Sequence, residues 1–376
     1  MKPSVGIGLA FLCHGRNLVA TRMGGSSARL LFRQHSTRPK NVEYLYGASV
    51  VIPAMEFGVR KIKTLLVKED QRFGGMKIRG NGEAILSSKI LPKISSADMG
   101  QDSRALLDYA VALANQREIP VKEVSVSHLD RLAGNRPHQG LVLATLAPKV
   151  THLHALGNCD LDANDVDFEK NVYEVDAGGD GILRLKTRED RKYPFWIALD
   201  QIVDPQNLGA ILRSAYYFGV DGVVVTERDS APFSPISSKA SAGAMEAMPL
   251  YSTVNLGKLL QESAINGWQI LGTNTNAKKS DLIPLCHFKQ RCDMEVSNDL
   301  DDLKTHTPLL RLDSAPTILV LGNEGHGMRT LVSKHCHHHL IITQDQFSPN
   351  FKKSRIDSLN VSVAAGILLH ELLLSV

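Results

Sequence analysis

Asp204-Pro205-Gln206-Asn207-Leu208-Gly209-Ala210-Ile211-Leu212-Arg213 is the stretch that decides the fold. The apolar run Phe195–Leu199 ends just before it, and Pro205 suits the first turn of a helix. Helical spacing then carries residues 205–218. A strand therefore feeds a helix through a short polar loop. The same change recurs at Leu321-Gly322-Asn323-Glu324-Gly325, closing the strand Thr317–Leu321, and at Ser358-Leu359-Asn360-Val361-Ser362, opening a helix over 358–374. Strands at Gly222–Thr226, Gln269–Thr273 and 340–342 alternate with helices at 234–248 and Leu256–Ile265. This alternation predicts an α/β domain with a mostly parallel sheet over residues 193–376, carrying an insert at about 280–315. Ligands in such sheets lie at the carboxyl ends of strands. The three blocks fall there, and so an arginine, a glutamate, two asparagines and a serine are expected at one crevice.

Upstream, residues 41–147 read as a smaller unit. A helix over 50–59, a strand over 64–67, a helix over 105–115 and a closing strand Leu141–Leu146 follow one another. Residues 148–192 hold Asp160, Asp162, Asp165, Asp167 and Glu169 and read as a linker with an acidic insert. A second acidic stretch, 293–302, reads as a surface loop. The final helix is apolar nearly all round, from Leu359 and Val361 to Leu372 and Leu373. Such a helix is buried on all sides, which at a chain end predicts a second subunit over one flank.

Charge is uneven along the chain. Residues 1–40 hold seven Lys or Arg and no acid; removing these from the 43 basic residues leaves 36 against 39 acids, a net charge of −3. Bulk charge thus gives no argument for nucleic acid. An Arg-rich leader with Ser26, Ser27 and Ser36 and no acids has the composition of a mitochondrial transit peptide. A secretory signal and a disordered RNA-binding arm are its rivals. Five scattered cysteines without CxxC suit a reduced compartment. His335-Cys336-His337-His338-His339 has no second cluster at ligand spacing, so no metal is expected. The apolar stretch 361–376 is too short to span a bilayer. A nicotinamide-dependent enzyme is excluded by the lack of GxGxxG after the first strand.

In their order and separation the three blocks resemble motifs 1, 2 and 3 of the SpoU (TrmH-like) family of the SPOUT superfamily. These are RNA ribose 2′-O-methyltransferases that use S-adenosyl-L-methionine (AdoMet). Glu43-Tyr44-Leu45-Tyr46-Gly47 and Leu132-Ala133-Gly134-Asn135-Arg136-Pro137-His138-Gln139-Gly140 are similar to the two ends of the family's small ribosomal-protein-L30e-like RNA-binding domain. With the leader, the resemblance implies methylation of a guanosine ribose in mitochondrial large-subunit rRNA, in the matrix. A tRNA ribose, or a non-catalytic mitochondrial ribosome-assembly role, are the alternatives. The resemblance also implies a trefoil knot near the C-terminus and a homodimer.

Carried over residue by residue, the resemblance makes Arg213 the motif 1 arginine, often proposed as the base for the 2′-hydroxyl. A guanidinium stays protonated in proteins, so bidentate phosphate binding and stabilisation of alkoxide charge suit it better. Asn207 would orient that arginine or the ribose, Glu324 would orient Arg213 or touch the substrate, and Ser358 and Asn360 would position the reacting groups. As residues alone, Asn207, Ser358 and Asn360 could merely cap helices. The family implies cofactor contacts, mainly backbone, at Thr273, Leu321, Gly322, Ile342 and Leu359, with Gly322 and Gly325 letting the chain close on the adenosine. Thr343 departs from a proline usual in bacterial relatives, and the long stretch after it holds Phe351-Lys352-Lys353-Ser354-Arg355, which could reach phosphates. Arg60, Lys61, Lys63 and Arg136 are the candidate RNA contacts of the small domain.

Overall fold

In the computed structural model, residues 42–69, 103–160, 172–273 (Glu189 apart), 314–342 and 358–374 are described, with short pieces at 78–79, 83–84, 282–284 and 312. The leader, most of the acidic insert, the acidic stretch 293–302, Thr343 and residues 351–355 lie outside the described residues.

The first unit is a six-stranded sheet covered by helices. Its elements are β1 (Val42–Tyr46), α1 (Ala48–Phe57), β2 (Ile62–Lys68), β3 (Ile78–Arg79), β4 (Glu83–Ala84), α2 (Ser103–Gln116), β5 (Val121–Val124), α3 (Val126–Ala133) and β6 (Leu141–Leu146). The strand order is β1-β6-β2-β5-β4-β3. Its main core joins α1 and α2 to the sheet through Val50, Val51, Met55, Leu107 and Val111.

The described parts of the expected linker, residues 148–160 and 172–192 (Glu189 apart), carry strands. β7 (Val150–His152) is an edge strand of the larger sheet, and β8 (Ala155–Asp160), β9 (Val172–Asp176) and β10 (Ile182–Lys186) form an antiparallel sheet of their own. Tyr173 and Val175 alternate inward while their neighbours stay nearer solvent. This period-2 pattern is hidden in the sequence by the acids around it.

The larger domain follows: β11 (Phe195–Leu199), α4 (Pro205–Tyr217), β12 (Gly222–Thr226), α5 (Pro235–Ala240), α6 (Ala244–Ala247), β13 (Leu250–Thr253), α7 (Leu256–Ile265), β14 (Gln269–Thr273), β15 (Leu282–Pro284), β16 (Thr317–Leu321), α8 (Thr330–Ser333), β17 (His338–Ile341) and α9 (Val361–Leu373). Its sheet runs β15-β17-β14-β16-β11-β12-β13-β7, and every pairing is parallel. The expected α/β architecture is present. Central strands are buried on both faces: Phe195, Ile197 and Leu199 meet α4 and α9, while Trp196 and Ala198 meet α7. Such strands read as continuous apolar runs, which is why their bounds were legible.

Several expectations need correction. The helix expected over 234–248 is broken into α5 and α6 at Ala242 and Gly243, both with positive φ. Part of the expected insert, Leu282–Pro284, is a strand pairing with β17. The final helix starts at Val361, not Ser358, with Asn360 as its N-cap; within the single chain one flank of it is bare, the flank for which a second subunit is expected. Val361, Ala365, Leu368, Leu369 and Leu372 are buried, but Val363 is 51% exposed and Leu374, just beyond the helix, 62%. No helix among the described residues is long and apolar enough to cross a membrane.

The topology positions the site. From β11 the chain lays β12 and β13 on one side, then β14 on the other, and β16 is inserted between β11 and β14. The loops leaving β11 and β16 therefore diverge at a switch point, where open α/β sheets form their ligand crevice.

Candidate functional site

Asp204 caps α4, its carboxylate accepting the Gln206 N–H at 2.9 Å. Asn207 is thereby not needed as a cap and turns inward, 9% exposed. Its amide donates to the Glu324 carboxylate, which arrives on the loop after β16. Asn360 completes the group from the start of α9. Its Oδ1 accepts the Ser362 N–H at 2.9 Å and the Ser362 hydroxyl at 2.6 Å. That use of the oxygen fixes the amide's orientation. Nδ2 must then face inward, where it donates to Glu324 Oε1 at 2.9 Å and Asn207 Oδ1 at 3.1 Å. Three blocks, 117 and then 36 residues apart along the chain, thus close one triangle.

The loop carrying Glu324 is held by its own hydrogen bonds. Asn323 and Gly327 exchange backbone hydrogen bonds of 3.0 and 2.8 Å. The Asn323 side chain donates to the Gln201 carbonyl at 2.9 Å and accepts the Gly325 N–H at 2.8 Å. Behind it, buried Asp200 takes the Arg329 N–H at 3.0 Å, Nε at 2.8 Å and Nη2 at 2.6 Å. A Cβ on Gly322 would strike the backbone of Gly327 and Met328. Closure of its own loop already requires a glycine there. Asp200, Asn323, Arg329 and Ser362 were missed in the sequence. An acid placed immediately after a buried strand was the available signal for Asp200.

Arg213 stands apart from the triangle. It is exposed, six residues beyond Asn207, with no hydrogen bond or ion pair among the described residues. Ser358 is exposed and takes no part in the triangle; the serine that does is Ser362. The candidate cofactor positions cluster by topology. Thr273, Leu321 and Ile342 end or follow the adjacent strands β14, β16 and β17. The Thr273 hydroxyl is committed to the Val320 carbonyl at 3.1 Å, and the Leu321 carbonyl to the Asp200 N–H at 2.8 Å. Ile342 packs half-buried on the core, whereas Leu359 is 45% exposed.

Arg60 is not an RNA contact. It is 3% exposed, its Nε and Nη2 bonded to Glu246 at 2.6 and 2.9 Å and its Nη1 to Glu43 at 2.5 Å. The side chain turns into the molecule, where the carboxylates of Glu43 and Glu246 hold it. Lys61, Lys63 and Arg136 are exposed. In the histidine-rich stretch, His337 Nδ1 accepts the Ile270 N–H at 2.9 Å. Among the described residues no three His, Cys, Asp or Glu side chains gather as a metal site. Burial pushes the Cys336 thiol up to about 12, far from thiolate reactivity.

Comparison with known proteins identifies the family. The SpoU rRNA Methylase family matches residues 194–370, and an RNA 2′-O ribose methyltransferase substrate-binding family matches residues 91–150. The chain is 30% identical over 358 residues to the human protein named rRNA methyltransferase 1, mitochondrial, covering 93% of this chain and 78% of that one. The Schizosaccharomyces pombe protein of the same name is 33% identical over 259 residues, 68% of this chain and 75% of that one. Its Dictyostelium discoideum namesake is 34% identical over 262 residues; the match spans 69% of this chain but only 43% of that protein. An AdoMet-bound rRNA methyltransferase from Sinorhizobium meliloti shares the fold, with a TM-score of 0.52 at 18% identity over 88% of this chain and 87% of that one.

Proposed function

The chain belongs to the SpoU rRNA Methylase family, and from that premise we propose that it methylates a guanosine ribose 2′-hydroxyl of mitochondrial large-subunit rRNA, in the matrix, using AdoMet. The observation that carries this reading is the Asn207–Glu324–Asn360 triangle at the switch point of the parallel sheet. Bare RNA binding has no use for two amides aimed at one carboxylate.

The residues present fit the cofactor. Thr273, Leu321, Gly322 and Ile342 would hold it through backbone at three neighbouring strand ends, and the half-exposed Leu359 side chain offers an apolar surface for a purine. When bound, AdoMet supplies an activated methyl group, leaving the protein to orient the hydroxyl and accommodate its proton. Asn207 and Asn360 both donate to Oε1 of Glu324, so Oε2 would be the oxygen available to accept from a ribose hydroxyl. Arg213, permanently charged and with no side-chain partner among the described residues, would grip the adjacent phosphate with two parallel N–H bonds and stabilise alkoxide charge. Holding the reacting atoms in line is worth on the order of 7–11 kcal/mol in well-oriented cases.

The same proposal includes an L30e-like small domain that selects RNA through exposed Lys61, Lys63 and Arg136, a trefoil knot, and a homodimer through α9. The dimer is supported by apolar side chains left exposed on α9 and on its neighbour α4, among them Val363, Tyr216 and Tyr217. A tRNA ribose would suit the same chemistry. Mapping of 2′-O-methylation across mitochondrial rRNA and tRNA, with and without the protein, tests the assignment. Loss at one large-subunit guanosine is expected, and loss only in tRNA selects the other substrate. Unchanged ribose methylation in both would leave a non-catalytic assembly role.

A further inference from the structure

Only Ala147, Pro148 and Lys149 join β6 to β7, yet such a link alone leaves the first unit free to swivel. The seam between the two units holds a buried polar network that removes this freedom. Arg60 lies in the turn between α1 and β2, and Glu246 lies in α6 of the catalytic domain; their side chains are 0% and 1% exposed. The guanidinium meets the carboxylate with two bonds, 2.6 and 2.9 Å, the fork geometry that fixes direction as well as distance. Glu43 takes the remaining side of the guanidinium from β1 at 2.5 Å, and the Ser238 hydroxyl donates to Glu246 Oε1 at 2.7 Å. Around the pair, a Cβ on Gly243 would lie 2.5 Å from the Ser49 carbonyl, and Lys239 Nζ reaches the Ser49 hydroxyl at 3.3 Å.

The network continues to the reaction site. Ser238 belongs to α5, which crosses α4 so closely at Gly209 that a Cβ there would lie 2.5 Å from Ala240 Cβ and 2.9 Å from the Ser241 nitrogen. Asn207 is two residues away on the same helix. Resting on the function proposed above, we propose that Arg60 is a positioning residue: through Glu246 it docks the RNA-selecting domain in one orientation on the helix pair that carries Asn207. A buried ion pair contributes little net stability but can specify one arrangement over others. Misplacement of bound RNA by about 1 Å can cost on the order of a hundredfold in rate.

Removing one partner strands a buried charge, so the decisive variant replaces both: Arg60→Met with Glu246→Met in the full chain. Arg60→Lys, which keeps charge and loses the fork, is the conservative companion. AdoMet affinity is read by calorimetry, RNA affinity and kcat with a large-subunit rRNA transcript. Domain orientation is read from the distance distribution between nitroxides at Lys122→Cys and Lys258→Cys, with native cysteines replaced by serine. The double variant is expected to bind AdoMet and RNA as the parent does, to broaden the distance distribution, and to lose about tenfold or more in kcat, with Arg60→Lys between. An unchanged kcat, or an unchanged distance distribution, overturns the proposal. So does loss of AdoMet binding in step with melting temperature, which would make Arg60 merely structural. If the parent methylates no RNA the proposed function falls, while the distance distribution still decides whether Arg60 sets the orientation.

Discussion

Asn360 does two jobs with one amide, and the two can be separated. Its oxygen caps α9 and its nitrogen feeds the carboxylate of Glu324 and the carbonyl of Asn207. Asn360→Ala should lose both, lowering stability by about 1 kcal/mol through the cap and abolishing most methyl transfer. Asn360→Asp keeps the acceptor and adds a charge suited to a helix N-terminus, but it places a carboxylate against Glu324. Its melting temperature should lie above that of the alanine variant while methyl transfer falls to a similar level. A parental rate in Asn360→Asp would show that the amide donor is dispensable. Arg213→Lys makes the complementary test, since it retains charge without the fork. Its kcat/KM on RNA should lie near that of Arg213→Ala, and rescue by lysine would refute bidentate phosphate binding.

Helix α4 lies against α5 at a spacing only glycine permits. Gly209→Ala would gain about 1 kcal/mol of helix propensity. Against that, the added methyl overlaps Ala240, Ser241 and the Ser237 carbonyl, and overpacking of this kind costs about 1–3 kcal/mol. Backbone atoms cannot give way as a flexible side chain would, so a lowered urea midpoint is expected despite the better helix former. This close approach was invisible in the sequence, which shows spacing along one helix and not the partner across it. The same limit explains other misses. β11, β12, β16 and α7 were legible because burial on both faces, or on one helical stripe, writes itself as apolar periodicity with Pro, Gly or Asn at the ends. The break between α5 and α6 was not, because Gly243 is set by Ser49 and Pro53, far away in the chain. Nor was the fate of Arg60, whose carboxylates come from two different elements. At the site, motif spacing found Asn207, Glu324 and Asn360, yet it could not foresee that Asp200 and Arg329 clamp the loop between them.

At the scale of the whole molecule, two measurements are expected to reveal features of the folded state. Asp221 is buried beside Arg191 and accepts the Phe195 N–H at 2.7 Å. Burial outweighs these partners and pushes its carboxyl up to about 6. Below an ordinary value near 4 it is protonated folded or unfolded; between there and 6 the native state holds the extra proton, so stability falls as pH rises. The linkage amounts to at most about 3 kcal/mol. Asp221→Asn should therefore gain in melting temperature over the parent as pH rises from 4 to 7, and a gap independent of pH would contradict this. The second measurement concerns association. α4 and α9 pack together, yet Tyr217 at the end of α4 is 81% exposed and Leu374 beyond α9 62%. Apolar groups bared on two packed helices are what a second copy would cover, with a stable interface needing about 800 Å² from each partner. Lysines at these two places sit at helix C-termini, where cations are favoured, and exposed substitutions change folding stability by only about 0.5 kcal/mol. Tyr217→Lys with Leu374→Lys should then leave the fold intact and shift the mass by light scattering from dimer to monomer. A parent that is already monomeric at micromolar concentration would require another partner for this face.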